Sequence, residues 1–219
     1  ATLLGDAPLR VEGGGVGAIF EVGEGQDCSW VHYAGEDVAA CDFEPDAAWI
    51  AELFESTVNY WQRWLSHSFY EGRWRETVHR SALALKLMTY APTGAIVAAP
   101  TTSLPEKVGG DKNWDYRYTW IRDAAFTVYG LLRVGFKEEA TQFMQWLESR
   151  CDALEPERLP VAYTVHGGPL PEEVELGHWE GYRGSGPVRV GNGARGQFQL
   201  DVCGELLDAV YLYNKHANP

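Results

Sequence analysis

After Pro45-Asp46 the apolar residues of this chain fall into helical register, and this limits the available folds more than any other property. Ile50, Phe54, Val58, Trp61 and Leu65 follow i, i+4 and i+3 steps, which predicts an amphipathic helix to about residue 68. A second helix is expected from about 73 to 90. Its positions Trp74, Val78, Leu85 and Met88 lie among Ala82, Leu83, Ala84 and Leu87, so the later turns are apolar nearly all round and should be buried on most sides. Ala91-Pro92-Thr93-Gly94 ends it. Residues 94–120 lack a helical period; 96–99 suit a short strand, and Pro100, Pro105, Gly109 and Gly110 punctuate the remainder. Three more helices are expected: 121–134 with Gly135 as its C-terminal cap, 137–149 with Ala140, Phe143, Met144 and Leu147 on one face, and 200–215 with Leu206, Val210 and Tyr213 at helical spacing. Between the last two lies an irregular stretch, 151–197, rich in Gly and Pro; a loop this long is usually functional or disordered. Helices joined alternately by short turns and long loops describe an array of helical hairpins, whose long loops collect at one end and build a pocket. Loops 91–120 and 151–197 would share that end.

Residues 1–44 obey different rules. Short runs at 16–22 and 29–33 stand between Gly- and Asp-rich breaks such as Gly13-Gly14-Gly15 and Gly23-Glu24-Gly25, which is the pattern of strands and turns. Two or three strands do not make a stable sheet alone, so this opening reads as the last part of a larger β-domain.

With 45 % hydrophobic and 13 % aromatic residues in a chain of 219, a substantial core is expected and bulk disorder is excluded. No run approaches the roughly 18 apolar residues of a membrane span. A net charge of −13 argues against a nucleic-acid backbone as partner, because phosphates require a basic footprint. Cys28, Cys41, Cys151 and Cys203 form no CxxC pair and read as buried thiols of a reducing compartment, which points to the cytoplasm. The six His residues show no metal-ligand spacing, no phosphate-binding glycine motif is present, and no GxSxG elbow occurs. Neither metal nor cofactor is expected.

The chemistry concentrates in two places. Residues 113–126, NWDYRYTWIRDAAF, place Trp114, Tyr116, Tyr118 and Trp120 beside Arg122 and Asp123, where a glycine-containing loop gives way to a helix. Aromatic faces suit the C–H faces of a pyranose, and its hydroxyls need fixed donors and acceptors. Asp123 also has an ordinary role, as a carboxylate at a helix N-terminus, and an Arg122–Asp123 pair would satisfy itself inside a core. The second cluster, 180–201, carries Arg183, Arg189, Asn192, Arg195, Gln197 and Gln199 among six glycines and suits the lining of a polar pocket. Glu172, Glu173, Glu175 and Glu180 precede it; carboxylate pairs serve glycoside hydrolysis, but four Glu in a loop read first as solvated. His166-Gly167-Gly168 reads as a turn.

Three segments together, TYAPTGAIVAAPTTSLPEKVGGDKNWDYRYTWIRDAAFT (89–127), EGYRGSGPVRVGN (180–192) and QLDVCGELLDAVYLY (199–213), resemble the bacterial branch of glycoside hydrolase family 15, which holds glucoamylases, glucodextranases and some trehalases. The resemblance covers about residues 70–219. It implies a mainly α fold: part of an (α/α)6 six-hairpin toroid barrel, preceded by the end of a β-sandwich domain. The implied domains are 1–44 as the closing strands of that sandwich, 45–69 as a linker helix, and 70–219 as the first part of the barrel. It also implies inverting, exo-acting hydrolysis of α-glucosidic bonds by two glutamates, with an α-glucan oligosaccharide or trehalose as ligand. Carried over motif by motif, Tyr116, Trp120, Arg122 and Asp123 form the walls and hydroxyl clamp of the glucose subsite, and Arg189 and Asn192 are loop residues facing the pocket. The family's catalytic glutamates normally lie in later loops, so they are expected beyond residue 219, and the remainder of the barrel would be needed for turnover. Thr164-Val165-His166 departs from the Gly-Ile-Asp-like run of relatives, and Gly186 and Gly193 loosen the second loop; both bear on the outer subsites. The alternative reading is a non-catalytic carbohydrate-binding or regulatory remnant that keeps the clamp without the acid and base.

Overall fold

A computed structural model describes residues 2–33, 46–151 and 159–216. It divides into two units, Ala1–Trp64 and Leu65–Pro219. In the first, β1 (Thr2–Gly5) pairs antiparallel with β4 (Trp30–Tyr33), and β2 (Arg10–Glu12) pairs with β3 (Gly15–Gly17). Gly13 and Gly14 form the two-residue turn between β2 and β3 with φ of +57° and +83°, a conformation that glycine adopts without steric cost. Val11 of β2 and, beyond β3, Ile19 and Phe20 remain exposed. Helix α1 (Ala47–Leu65) starts as expected, because the Asp46 carboxylate accepts a 2.7 Å hydrogen bond from the Trp49 amide and so caps the first turn.

The second unit is built around α3 (Ile121–Val134), which packs against α2 (Arg75–Leu87), α4 (Lys137–Cys151) and α5 (Leu200–His216). The chain is thus mainly α, and its helices are consistent with part of an (α/α)6 toroid. One face of α3 supplies Ile121, Ala124, Val128 and Leu132 to a core that Phe143, Trp146 and Leu147 of α4 and Val202 of α5 complete. The Lys86 ammonium lies 2.8 Å from the Glu139 carboxylate and fastens α2 to the start of α4. The sequence expectation fails for α2. Among the residues of α2 only Ala82 is buried, and Leu87 stays exposed: α2 packs against α3 along one face, and Lys86 reaches Glu139 of α4.

Helix α3 ends where the sequence places its end. Gly135 has φ of +110°, and the Phe136 amide reaches back to the Leu131 carbonyl at 3.0 Å, closing a Schellman turn into α4. A Cβ at Gly135 would stand 2.8 Å from the His67 carbonyl oxygen as well as in a left-handed conformation. Gly135→Ala should therefore lower unfolding stability by about 1–3 kcal/mol in urea titration; a change near zero would show that the turn reshapes at no cost.

The loops between helices form short antiparallel pairs. β5 (Thr89–Tyr90) pairs with β6 (Ala95–Ile96), β7 (Thr119–Trp120) with β8 (Ala162–Tyr163), and β9 (Val174–Glu175) with β10 (Arg189–Val190). Residues 98–103 continue beside 114–118, with the Ala98, Ala99 and Ser103 amides donating to the Tyr118, Tyr116 and Trp114 carbonyls. The Gly167 amide closes the expected turn on the Thr164 carbonyl at 2.8 Å. Residues 152–158 of the long loop lie outside the described residues. The part from 159 to 199 meets 91–120 at the N-terminal ends of α3 and α5, so the two long loops do share one end.

Candidate functional site

At that end a cleft of about 370 Å3 is lined by Ala98, Tyr116, Trp120, Arg122, Asp123 and Gln199. Trp120 is held from two sides. It pairs with Ala162 as the last residue of β7, and it is the N-cap of α3, with the following amide bonded to the Val161 carbonyl at 3.1 Å. The Tyr116 ring meets it edge-on at 6.2 Å between centroids. The Trp120 indole N–H is buried with no hydrogen-bond acceptor among the described residues. A buried donor without a partner is costly.

Arg122 does not pair with its neighbour Asp123. Its guanidinium donates to the Asp201 carboxylate at 2.6 Å and to the Gln199 side-chain oxygen at 3.3 Å. An arginine in the first turn of a helix opposes the macrodipole, and Asp201, itself in the first turn of α5, offsets that. The Asp201 hydrogen bond, more than nearby charge, raises the Arg122 pKa, and the same bond holds the Asp201 carboxyl below its ordinary value. This pair is half exposed, so its contribution is to aim the guanidinium more than to stabilise the fold. The Asp123 carboxylate is exposed and makes no hydrogen bond or ion pair among the described residues. Burial raises the Tyr116 pKa and the Glu106 and Asp123 carboxylates raise it further, against Arg122, so Tyr116 keeps its proton and can both donate and accept.

Arg189 and Asn192 serve the loop that carries the cleft and are absent from the cleft's lining. Arg189 donates to the carbonyls of Asp111 and Asn113 at 3.0 and 3.4 Å and lies 4.7 Å from the centroid of the Trp114 ring. Its Nε also stands 3.2 Å from Glu173 in an ion pair whose angle falls short of a hydrogen bond. Asn192 donates to the Asp115 carbonyl at 3.2 Å and accepts from the Ala194 amide at 2.9 Å. Glu173 is thus engaged rather than simply solvated, and Glu172 pairs with Arg195 at 3.2 Å.

Sequence reasoning missed the residue at the centre of this network. Asp115 is 0 % exposed and accepts from Arg117 Nε and a terminal nitrogen at 2.8 Å each, from the Tyr118 hydroxyl at 3.0 Å, and from the Gly191 amide at 3.2 Å. Burial alone would raise its pKa, but the Arg117 hydrogen bonds and charge, aided by Tyr118, hold the carboxyl below its ordinary value. Asp115 therefore fixes the strand that bears Tyr116 and Trp120 to the turn at 189–192. The available signal was a lone carboxylate inside an alternating aromatic run, a position where burial demands several donors. Among the described residues no group of His, Cys, Asp and Glu suits a metal ion, and no helix is long and apolar enough to cross a membrane.

Aromatic edges, an aimed cation and an open carboxylate on one cleft suit a neutral, hydroxyl-rich ligand, here carried at one end of a helical-hairpin array. The profile described as "Glycosyl hydrolases family 15" matches residues 72–218, and the chain belongs to that family, as the motifs indicated. Its relatives among curated proteins include a trehalase of Thermoplasma acidophilum, 46 % identical over 162 residues, covering 74 % of this chain and 27 % of the relative. A trehalase of Mycolicibacterium smegmatis is 46 % identical over 168 residues, covering 75 % and 25 % respectively. Trehalase 2 of Sulfolobus acidocaldarius is 33 % identical over 164 residues, covering 75 % and 28 %. The chain spans about a quarter of the length of these relatives. No solved structure matches it.

Proposed function

We propose that this chain supplies the glucose-holding subsite of an inverting, exo-acting glycosidase that cleaves α-glucosidic bonds, with trehalose as the favoured substrate. The observation that carries this reading is the cleft itself, in which Tyr116 and Trp120 wall a space that Arg122 enters already aimed and Asp123 enters unpaired. The similar proteins are trehalases, which favours trehalose over a longer α-glucan. Asp123 accepts from two sugar hydroxyls, Arg122 donates, and the aromatic edges exclude water from the ring faces. Preorganisation by Asp201 spares the ordering cost of a free arginine. Arg189 and Asn192 act on the sugar through the loop they hold. The cysteines support a cytoplasmic location, with Cys28 and Cys203 as free, part-buried thiols.

The cleft lining includes no glutamate, and inverting hydrolysis needs one carboxyl as acid and a second as base. We therefore assign the acid and base to other parts of an (α/α)6 barrel and expect the 219-residue chain to bind sugar without hydrolysing it. The same feature favours, as a second reading, a purely carbohydrate-binding protein. Calorimetry with trehalose and maltose, alongside a glucose-release assay, tests both. Binding without release is the expected result for the 219-residue chain. Glucose release by that chain would overturn the assignment of acid and base, and absence of any sugar binding would overturn the subsite. Hydrolysis of trehalose by a longer chain that delivers β- and α-glucose in equal initial amounts, read by proton NMR, separates the inverting enzyme from the binding protein.

A further inference from the structure

Away from the two long loops, the second unit carries a cleft of about 590 Å3 over the first turns of α2. It shares no lining residue with the sugar cleft. Helix α2 leads into loop 91–120 by its C-terminal end, so this cleft lies at the opposite end of the helix. Arg75, Glu76, His79, Arg80 and Leu83 follow i, i+4 and i+3 steps along one face of α2, and Leu65 completes the lining. The cations here are unsatisfied. Acidic residues outnumber basic ones by 31 to 18 in the chain, so carboxylate partners are in excess. Even so, the Arg75 and Arg80 side chains make no ion pair or hydrogen bond among the described residues. Glu76, one turn before Arg80, does not pair with it. The Nε2 atom of His79 is buried and has no hydrogen-bond partner among the described residues, an arrangement that costs stability. Two leucines border the same space and exclude water, which strengthens any charge contact made there.

We propose that this cleft binds a phosphate group, as the free ion or as the head of a phosphate monoester. Guanidinium forks match phosphate oxygens bidentately, and His79 in its Nε2–H form adds a further donor. A phosphate has more charge and more acceptor oxygens than a carboxylate, so one group engages both arginines and the imidazole together. Glu76 opposes the anion, which gives one variant an effect of opposite sign.

Sodium phosphate and methyl phosphate, titrated calorimetrically into the 219-residue chain at constant ionic strength, are the probes. Saturable binding of at least one is expected. Binding of methyl phosphate assigns the site to monoesters, and binding of inorganic phosphate alone assigns it to the free ion. Arg75→Ala and Arg80→Ala should each weaken binding by about tenfold, the scale of a lost charge-assisted contact. Glu76→Gln should strengthen it, and His79→Gln, which keeps a donor nitrogen, should retain more affinity than His79→Ala. Both arginines are exposed, so the urea midpoint of their variants should match the parent's without ligand. The bound anion should raise that midpoint in the parent and leave it unmoved in the double arginine variant. Trehalose binding should be the same in all these variants, so failure of this site and failure of the glucose subsite are separately visible. Saturable heat with neither probe, or binding indifferent to both arginine variants, overturns the proposal. A midpoint raised equally by sodium chloride also overturns it, by reducing the effect to screening.

Discussion

Asp123→Ala will weaken trehalose binding to the 219-residue chain by about ten- to a hundredfold, while the helical circular dichroism and the urea midpoint stay near those of the parent. The expected size follows from losing hydrogen bonds to a charged acceptor, about 1.5–3 kcal/mol, at about 1.4 kcal/mol for each factor of ten. The fold should tolerate the change because the carboxylate is exposed and makes no protein hydrogen bond or ion pair among the described residues. Its one structural contribution, a negative charge in the first turn of α3, is worth at most about 1 kcal/mol. Asp123→Asn should keep part of the affinity, since an amide accepts through one oxygen only. Affinity unchanged in the alanine variant, measured by calorimetry, would remove Asp123 from the clamp and leave the cleft without its acceptor.

Asp115→Ala will act in the opposite way, on the fold first. We expect a loss of about 2–4 kcal/mol at neutral pH, somewhat below the range for a fully buried pair, because Arg117 is 44 % exposed and can turn to water. The Tyr118 hydroxyl has no such recourse, whereas the Gly191 amide keeps the Tyr118 oxygen as an acceptor at 3.1 Å. The pH dependence has a definite sign. The folded carboxyl is held below its ordinary value, so its stabilisation is fully present above about pH 4, the unfolded value, and is lost as pH falls through the folded one. Urea titrations of the parent and of Asp115→Asn should therefore differ most at neutral pH and converge on acidification. A gap that stays constant down to strongly acid pH would mean that the carboxylate's charge contributes nothing.

The contrast between these two aspartates shows what a sequence discloses. Short-range features were legible: the bounds of α3, the glycine that ends it, the Asp46 cap, and Asp123 at a helix start all follow from neighbours within a turn or two. The aromatic run also pointed to the loop that walls the cleft. What stayed hidden depends on contacts between distant residues. Arg122 suggested Asp123 as partner because the two adjoin, yet successive side chains on a helix point apart, and the partner is Asp201 in another helix. The exposure of Leu87 on α2 was hidden for a similar reason, since an apolar pattern says which faces want burial but not which neighbours provide it. Asp115 was overlooked because its donors include a backbone amide 76 residues away.

That separation has a consequence for how recognition arises. Arg122 meets Gln199, Asp115 meets Gly191, and Asn192 meets the Asp115 carbonyl across 76 or 77 positions of chain. Closing such intervals costs entropy that only the packed helices repay. The aromatic stretch is therefore no portable sugar-binding peptide. Affinity for a ligand at this cleft arises only with the cooperative folding of the whole unit, and it would serve as a direct gauge of how much of the protein is native.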